Sequence, residues 1–214
     1  MVNVIIKHGW IFIIIAVLGE LLVPFLLAPF YKGYDHSAMA ISALGSKGSP
    51  VRIPFNLWML TAGVLFLLSI PCIYDAYGKV SKPLSAVTAL FLAVFAIGAC
   101  IFTCFFSVND SKDIVTTASR IHGAGSAIGF MLMLFVPLLL AILSFKTGEK
   151  ASGIMGIVSF VLALMFFVLF VMADKPEFQN TVIAKEGLWQ RLNLLCMYLP
   201  LFYVAIKALE NVKK

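Results

Sequence analysis

The chain has 214 residues, of which 62% are hydrophobic and only 12% charged, with a formal net charge of +6. Soluble domains carry about 25% charged residues, so this composition excludes a soluble enzyme and a disordered chain and points to an integral membrane protein. The basic residues are scattered singly between apolar runs, which excludes a nucleic-acid partner.

A helix needs about 20 apolar residues to cross about 30 Å of hydrocarbon. Six runs qualify, at 10–30, 57–77, 84–106, 121–145, 153–173 and 188–209. Each is continuously apolar rather than alternating, which excludes a β-barrel and leaves helices as the spanning structure. The expectation is an all-α, polytopic six-helix transmembrane bundle forming one domain over 1–214. In the first run Glu20, Pro24 and Pro29 replace the small residues of a signal-peptide cleavage site, so the run is expected to be a true span. Glu20 lies near its middle, and Pro24 has no N–H to offer the Glu20 carbonyl. An ionisable group at that depth marks a cavity-facing site or a protonated acid bonded to a neighbouring helix.

Residues 35–45 read as a short interfacial helix, capped by Asp35 and ended by Gly45. Arg52 and Asn56 open the second run, and Asp110 and Asp113 follow the third. Arg120, His122 and Ser126 open the fourth, with His122 and Ser126 on one face. Gly125 and Gly129 form a GxxxG pair suited to close helix packing. Glu186, Gln190, Arg191 and Asn193 open the sixth run, Gln190 and Asn193 facing together.

The connections alternate between short basic ones (78–83, 146–152) and longer ones richer in acids (30–55, 107–120, 174–187). Each side of the membrane receives eight Lys and Arg. Those on the side of both termini fall in shorter segments, where the positive-inside rule acts most strongly. The chain is therefore expected in the cell membrane with both termini cytoplasmic.

Alternation then gathers the polar helix ends at the outer face. The expected binding set is Glu20, His36, Ser42, Arg52, Asn56, Arg120, His122, Gln190, Arg191 and Asn193 around one vestibule. Three arginines in one rim would suit a phosphate or carboxylate, since guanidinium binds either in a bidentate fork. The plainer alternative is that these side chains snorkel or pair with one another.

Catalytic patterns are thin: the sequence holds no HExxH, GxSxG, P-loop or GxGxxG. His122, Asp110 and Glu20 are candidates for an acid–base site without diagnostic spacing. Cys72, Cys100, Cys104 and Cys196 lie in apolar runs and read as small hydrophobes. No metal or cofactor is expected.

The stretch Ile41-Ser42-Ala43-Leu44-Gly45, the segment from Arg52 to Asn56 and on to Phe66, the pair His122-Gly123 and the stretch Gly187-Leu188-Trp189-Gln190-Arg191 resemble a six-helix prokaryotic membrane family, domain of unknown function 998. Members often carry an acid after the loop serine, where this chain has Ala43. The resemblance implies a place among membrane proteins grouped with autophagy modulators and lipid-anchor-remodelling proteins, hence a lipid partner, and it supplies no reaction. Two readings stand. In the first, the outer cavity binds a lipid or small anionic amphiphile. In the second, an intramembrane enzyme acts on lipid with His122 as acid–base and Asp110 or Glu20 orienting it; a small transporter is a further alternative, though only the first span is clearly interrupted by proline.

Overall fold

The computed structural model describes residues 2–109 and 114–212, which contain no strand. Its helices are α1 (Val2–Leu27), α2 (Arg52–Gly78), α3 (Lys82–Phe95), α4 (Phe102–Phe105), α5 (Thr117–Met133), α6 (Val136–Lys146), α7 (Lys150–Met172) and α8 (Glu186–Val212). Six stretches are long and apolar enough to cross a membrane: His8–Phe30, Arg52–Gly78, Lys82–Phe105, Thr117–Lys146, Lys150–Met172 and Glu186–Asn211. The protein is an all-α, multi-pass membrane protein. The second span begins at Arg52 rather than near 57, because Pro54 falls in the first helical turn, where its missing N–H has no partner to lose.

Consecutive spans pack side by side, and the sixth packs back against the first, so the spans close a ring in chain order. Phe66, Phe95 and Tyr198 are fully enclosed within it. Outward faces stay greasy, with Leu22, Leu90, Val161 and Leu199 exposed, as a helix surrounded by lipid requires. The first, third and fifth loops share one end of the bundle, here the long-loop end.

Four intramembrane prolines behave differently. Pro24, Pro71 and Pro200 sit inside helices that continue past them. Pro137 interrupts the fourth span, which turns at 134–135 between α5 and α6. Pro137 has no N–H for the Met133 carbonyl, and the chain tightens there, Phe135 N bonding Leu132 O at 3.1 Å. On either side of the break the span has different neighbours. The α6 half packs chiefly on α7 and also on α8 and α3, whereas α5 packs on the third span.

That third span receives α5 through a wide π-helical turn, Ala96–Ile101, between α3 and α4. A π turn adds one residue and disturbs the backbone ladder; the Thr103 hydroxyl donates to Ala99 O and Cys100 O at 2.9 and 2.7 Å and fills the gap. Gly125 and Gly129 pack against Gly98 and Ala99, with a Cβ on Gly98 only 2.5 Å from Gly125 O. The glycine pair therefore serves packing within the bundle.

The short helix expected over 35–45 is not formed. Asp35 does act as a cap, accepting from Ser37 N at 2.7 Å and Ala38 N at 3.2 Å, but what it caps is a turn. Ala40 then extends (φ −59°, ψ 151°), and a 3-10 helix follows over Ile41–Gly45. The local signal yields because the Ile41 N–H is claimed by Gln190 in the sixth span.

Candidate functional site

Within the long-loop half of the ring lies a cavity of about 330 Å³, to which all six spans contribute. Its space arises where α5 leans away from α7 and α8. Phe167, Phe170 and Val171 of α7 face Gly123, Ser126, Ala127 and Phe130 of α5 across it. Glu20 lines it from the first span, Thr103 from the third, His122 from the fourth, and Glu186 and Gln190 from the sixth, with Ser42 contributed by the first loop.

Glu20 is 7% exposed. Its Oε1 accepts from Trp58 Nε1 at 3.0 Å, and its Oε2 accepts from the Tyr198 hydroxyl at 3.4 Å. Buried Trp and Tyr seek an acceptor for their polar tips, and here both find the same carboxyl. The Trp58 ring reaches it by lying across Gly19, where a Cβ would stand 1.9 Å from Trp58 Cζ2. Tyr198 in turn packs edge-on to Phe95, and Phe95 to Phe130, with centroids 6.1 and 5.7 Å apart. An aromatic wall thus runs from the acid into the cavity.

His122 is held by its Nδ1 against the Phe106 carbonyl at 2.7 Å. A carbonyl only accepts, so Nδ1 carries the proton and the neutral ring keeps its lone pair on Nε2. The start of α5 is fixed beside it by a capping box, Thr116 and Ser119 each accepting from the other's backbone N–H.

Above the cavity the first loop is sewn to the start of α8. Leu188 N donates to Ser37 O at 3.0 Å, and Ile41 N to Gln190 Oε1 at 2.7 Å. Arg191 donates to His36 O at 2.6 Å, Met39 O at 3.3 Å, Gly187 O at 2.9 Å and the Tyr34 hydroxyl at 2.7 Å. Its guanidinium also lies 5.8 Å from the Phe25 and Tyr34 ring centroids. The two chains approach so closely that a Cβ on Gly187 would sit 2.1 Å from Met39 O and 2.5 Å from His36 O. Burial and then the neighbouring Arg191 charge hold the His36 imidazole below its usual pKa. Hydrogen bonds from Ser37 hold the Asp35 carboxyl low, and burial raises the Tyr34 phenol.

The family model described as protein of unknown function (DUF998) matches residues 14–207. The chain belongs to this family. No curated protein and no solved structure matches it. In this DUF998 protein the stretches 41–45, 52–56 and 187–191 come together as one lid: Ile41 bonds Gln190, and Gly45 packs on Asn56 and Phe55.

Of the expected binding set, Glu20, Ser42, His122 and Gln190 meet at the cavity. The remainder do not join them, and the single rim of three arginines is not formed. Arg191 is spent on the loop seam, Arg120 is exposed, and Arg52 is half-buried at the start of α2. Rotation about each helix axis, which polar helix ends do not encode, separates them. His36 belongs to the seam, stacked on Phe25 at 4.5 Å. Asn56 abuts Gly45, and Asn193 donates to Ala163 O at 2.8 Å, tying α8 to α7. Asp110 lies outside the described residues, and Glu20 bonds Trp58 and Tyr198 rather than His122. Among the described residues no three His, Cys, Asp or Glu side chains form a metal-binding group. Sequence reasoning missed Trp58, Tyr198 and Thr103. The signal for the first two was available, since an indole or phenol inside an apolar run must find an acceptor.

Proposed function

We propose that this DUF998 protein binds a lipid or another amphiphile in the cavity, with access sideways between α5 and α7. The reading rests on one observation: the break ahead of Pro137 leans α5 onto the third span and leaves an apolar cavity whose α5 and α7 walls end in the exposed Gly123, Ala127 and Val171; in this reading that edge is its open side and faces the membrane's hydrocarbon. Phenylalanine and alanine walls suit an acyl or alkyl tail. Glu20, His122, Ser42 and Gln190 offer convergent polar groups for a head. In this proposal the protein resides in the cell membrane with both termini cytoplasmic, and the cavity opens to the outer leaflet; the short basic connections at the end bearing the termini support that orientation.

Native mass spectrometry of the protein released from lipid nanodiscs tests it. The wild type is expected to retain one amphiphile per chain. Ala127→Phe, which fills the open side, is expected to lose it while melting at the same temperature. Equal lipid retention by both proteins would refute the proposal.

A further inference from the structure

The cavity's electrostatics are opposite in sign to what three rim arginines would have created. No Lys or Arg is among the described residues that line it, whereas two carboxyl groups do: Glu20 at depth and Glu186 near the start of α8. Glu20 is enclosed on every protein side, yet among the described residues it pairs with no cation. Its two donors, the Trp58 indole and the Tyr198 phenol, are neutral. A carboxylate offers about four lone-pair positions, so two donors leave half of its accepting capacity unused. A carboxylate so enclosed is costly without a counter-charge, so a cation brought beside it is what stabilises the ionised form, whereas an anionic head is disfavoured there.

The walls are equally selective. Phe130, Phe167 and Phe170 are half-buried and line the same space. Aromatic faces attract cations through the ring quadrupole, and the attraction grows when the cation is desolvated. One buried carboxylate facing several phenylalanine rings is a chemistry for ammonium groups, primary or quaternary.

We infer that the amphiphile taken up by this cavity carries a positively charged amine or ammonium head, with Glu20 as its counter-ion and the Phe130, Phe167 and Phe170 rings as its walls. The inference rests on the amphiphile-binding reading above and sharpens it to one class of head group.

Three single-tail probes of equal chain length separate the possibilities: decyltrimethylammonium, decyl maltoside and decyl sulfate. Each is titrated against nanodisc-embedded protein, and occupancy is read by native mass spectrometry. The expected order is cation, then neutral, then anion, with at least about a tenfold preference for the cation over the neutral probe, equal to about 1.4 kcal/mol. Glu20→Gln keeps the shape and the acceptor for Trp58, and is expected to abolish the preference while still binding the neutral probe. Glu177→Gln, which removes an exposed carboxyl outside the cavity, is expected to keep it. Phe130→Leu, which retains the carboxyl, provides a second variant and is expected to reduce the preference severalfold. Equal binding of cation and neutral probes by the wild type overturns the inference, as does a preference that survives Glu20→Gln. In both cases neutral-probe binding that Ala127→Phe blocks leaves the amphiphile reading standing. Failure of all three probes to bind in a manner sensitive to Ala127→Phe overturns that reading, and the inference with it.

Discussion

Replacing Gly187 by alanine drives a methyl group into two backbone oxygens that cannot rotate away. The added carbon would stand 2.1 Å from Met39 O, 2.5 Å from His36 O and 2.8 Å from Arg191 Nη1. Restoring van der Waals separation requires the first loop to retreat from α8 by about 1 Å. The seam's bonds, now 2.6–3.0 Å for Arg191 to His36 O, Ile41 N to Gln190 Oε1 and Leu188 N to Ser37 O, would then stretch past useful length. A neutral hydrogen bond contributes about 1 kcal/mol net and one to a charged donor about 1.5–3 kcal/mol. Partial rearrangement recovers some of this, and overpacking commonly costs about 1–3 kcal/mol, so the expected loss is about 3 kcal/mol. For a chain of this size that lowers the melting temperature by about 6–12 °C, measurable by intrinsic fluorescence in detergent. Gly123→Ala is the control: a Cβ there meets nothing within 4 Å, and alanine's better helix propensity holds or raises the melting temperature. If Gly187→Ala melts within about 2 °C of the wild type, the seam is not a stabilising contact and the reasoning fails.

Glu20→Leu strands the Trp58 N–H and the Tyr198 hydroxyl, at about 1–3 kcal/mol each, whereas Glu20→Gln keeps an acceptor for the indole; the leucine variant is expected to melt clearly lower, and equal melting temperatures would contradict the assigned bonds. His36 has a lowered folded pKa, so its neutral form is favoured on folding; stability is full above its unfolded value of 6.5 and falls as pH drops from there through the folded value. The reason is local, since His36 Nδ1 is buried without a partner and a second charge would face Arg191. Asp35, whose carboxyl is held low, changes only below its ordinary value of 3.8, so a melting-temperature decline between pH 7 and 5 that is reduced in His36→Gln identifies the imidazole. Pro137→Ala restores an N–H to Met133 O and is expected to straighten the fourth span; a cysteine placed at Ala127 would then react more slowly with a membrane-permeant thiol reagent, and an unchanged rate would separate the cavity from the break.

Much of the architecture was legible because a span is set by length and apolarity alone. All six runs are helical, and Glu20's depth marked it as a residue with partners. Partners were harder to read, since depth along a helix says nothing of the direction a side chain faces. Arg191 shows why: a guanidinium that can fork around a phosphate can equally gather backbone carbonyls, and here it gathers three. Asp35 shows the other limit. Its capping signal was real, yet the turn it caps stops where Gln190, 149 residues away, takes the next free N–H. Pro137 is the hardest case, because four prolines carry the same local chemistry and only the packing around the fourth span turns one of them into a break.

The bonds between the first and last spans have a consequence for biogenesis. Glu20 and Tyr198 are 178 residues apart, so at synthesis rates of about 5–20 residues per second the acid waits roughly 10–35 s for its second donor. During that interval the inserted chain holds a half-satisfied carboxyl at mid-bilayer and an untethered first loop. A nascent chain arrested short of Tyr198 would present both features together, and so differ chemically from the finished protein.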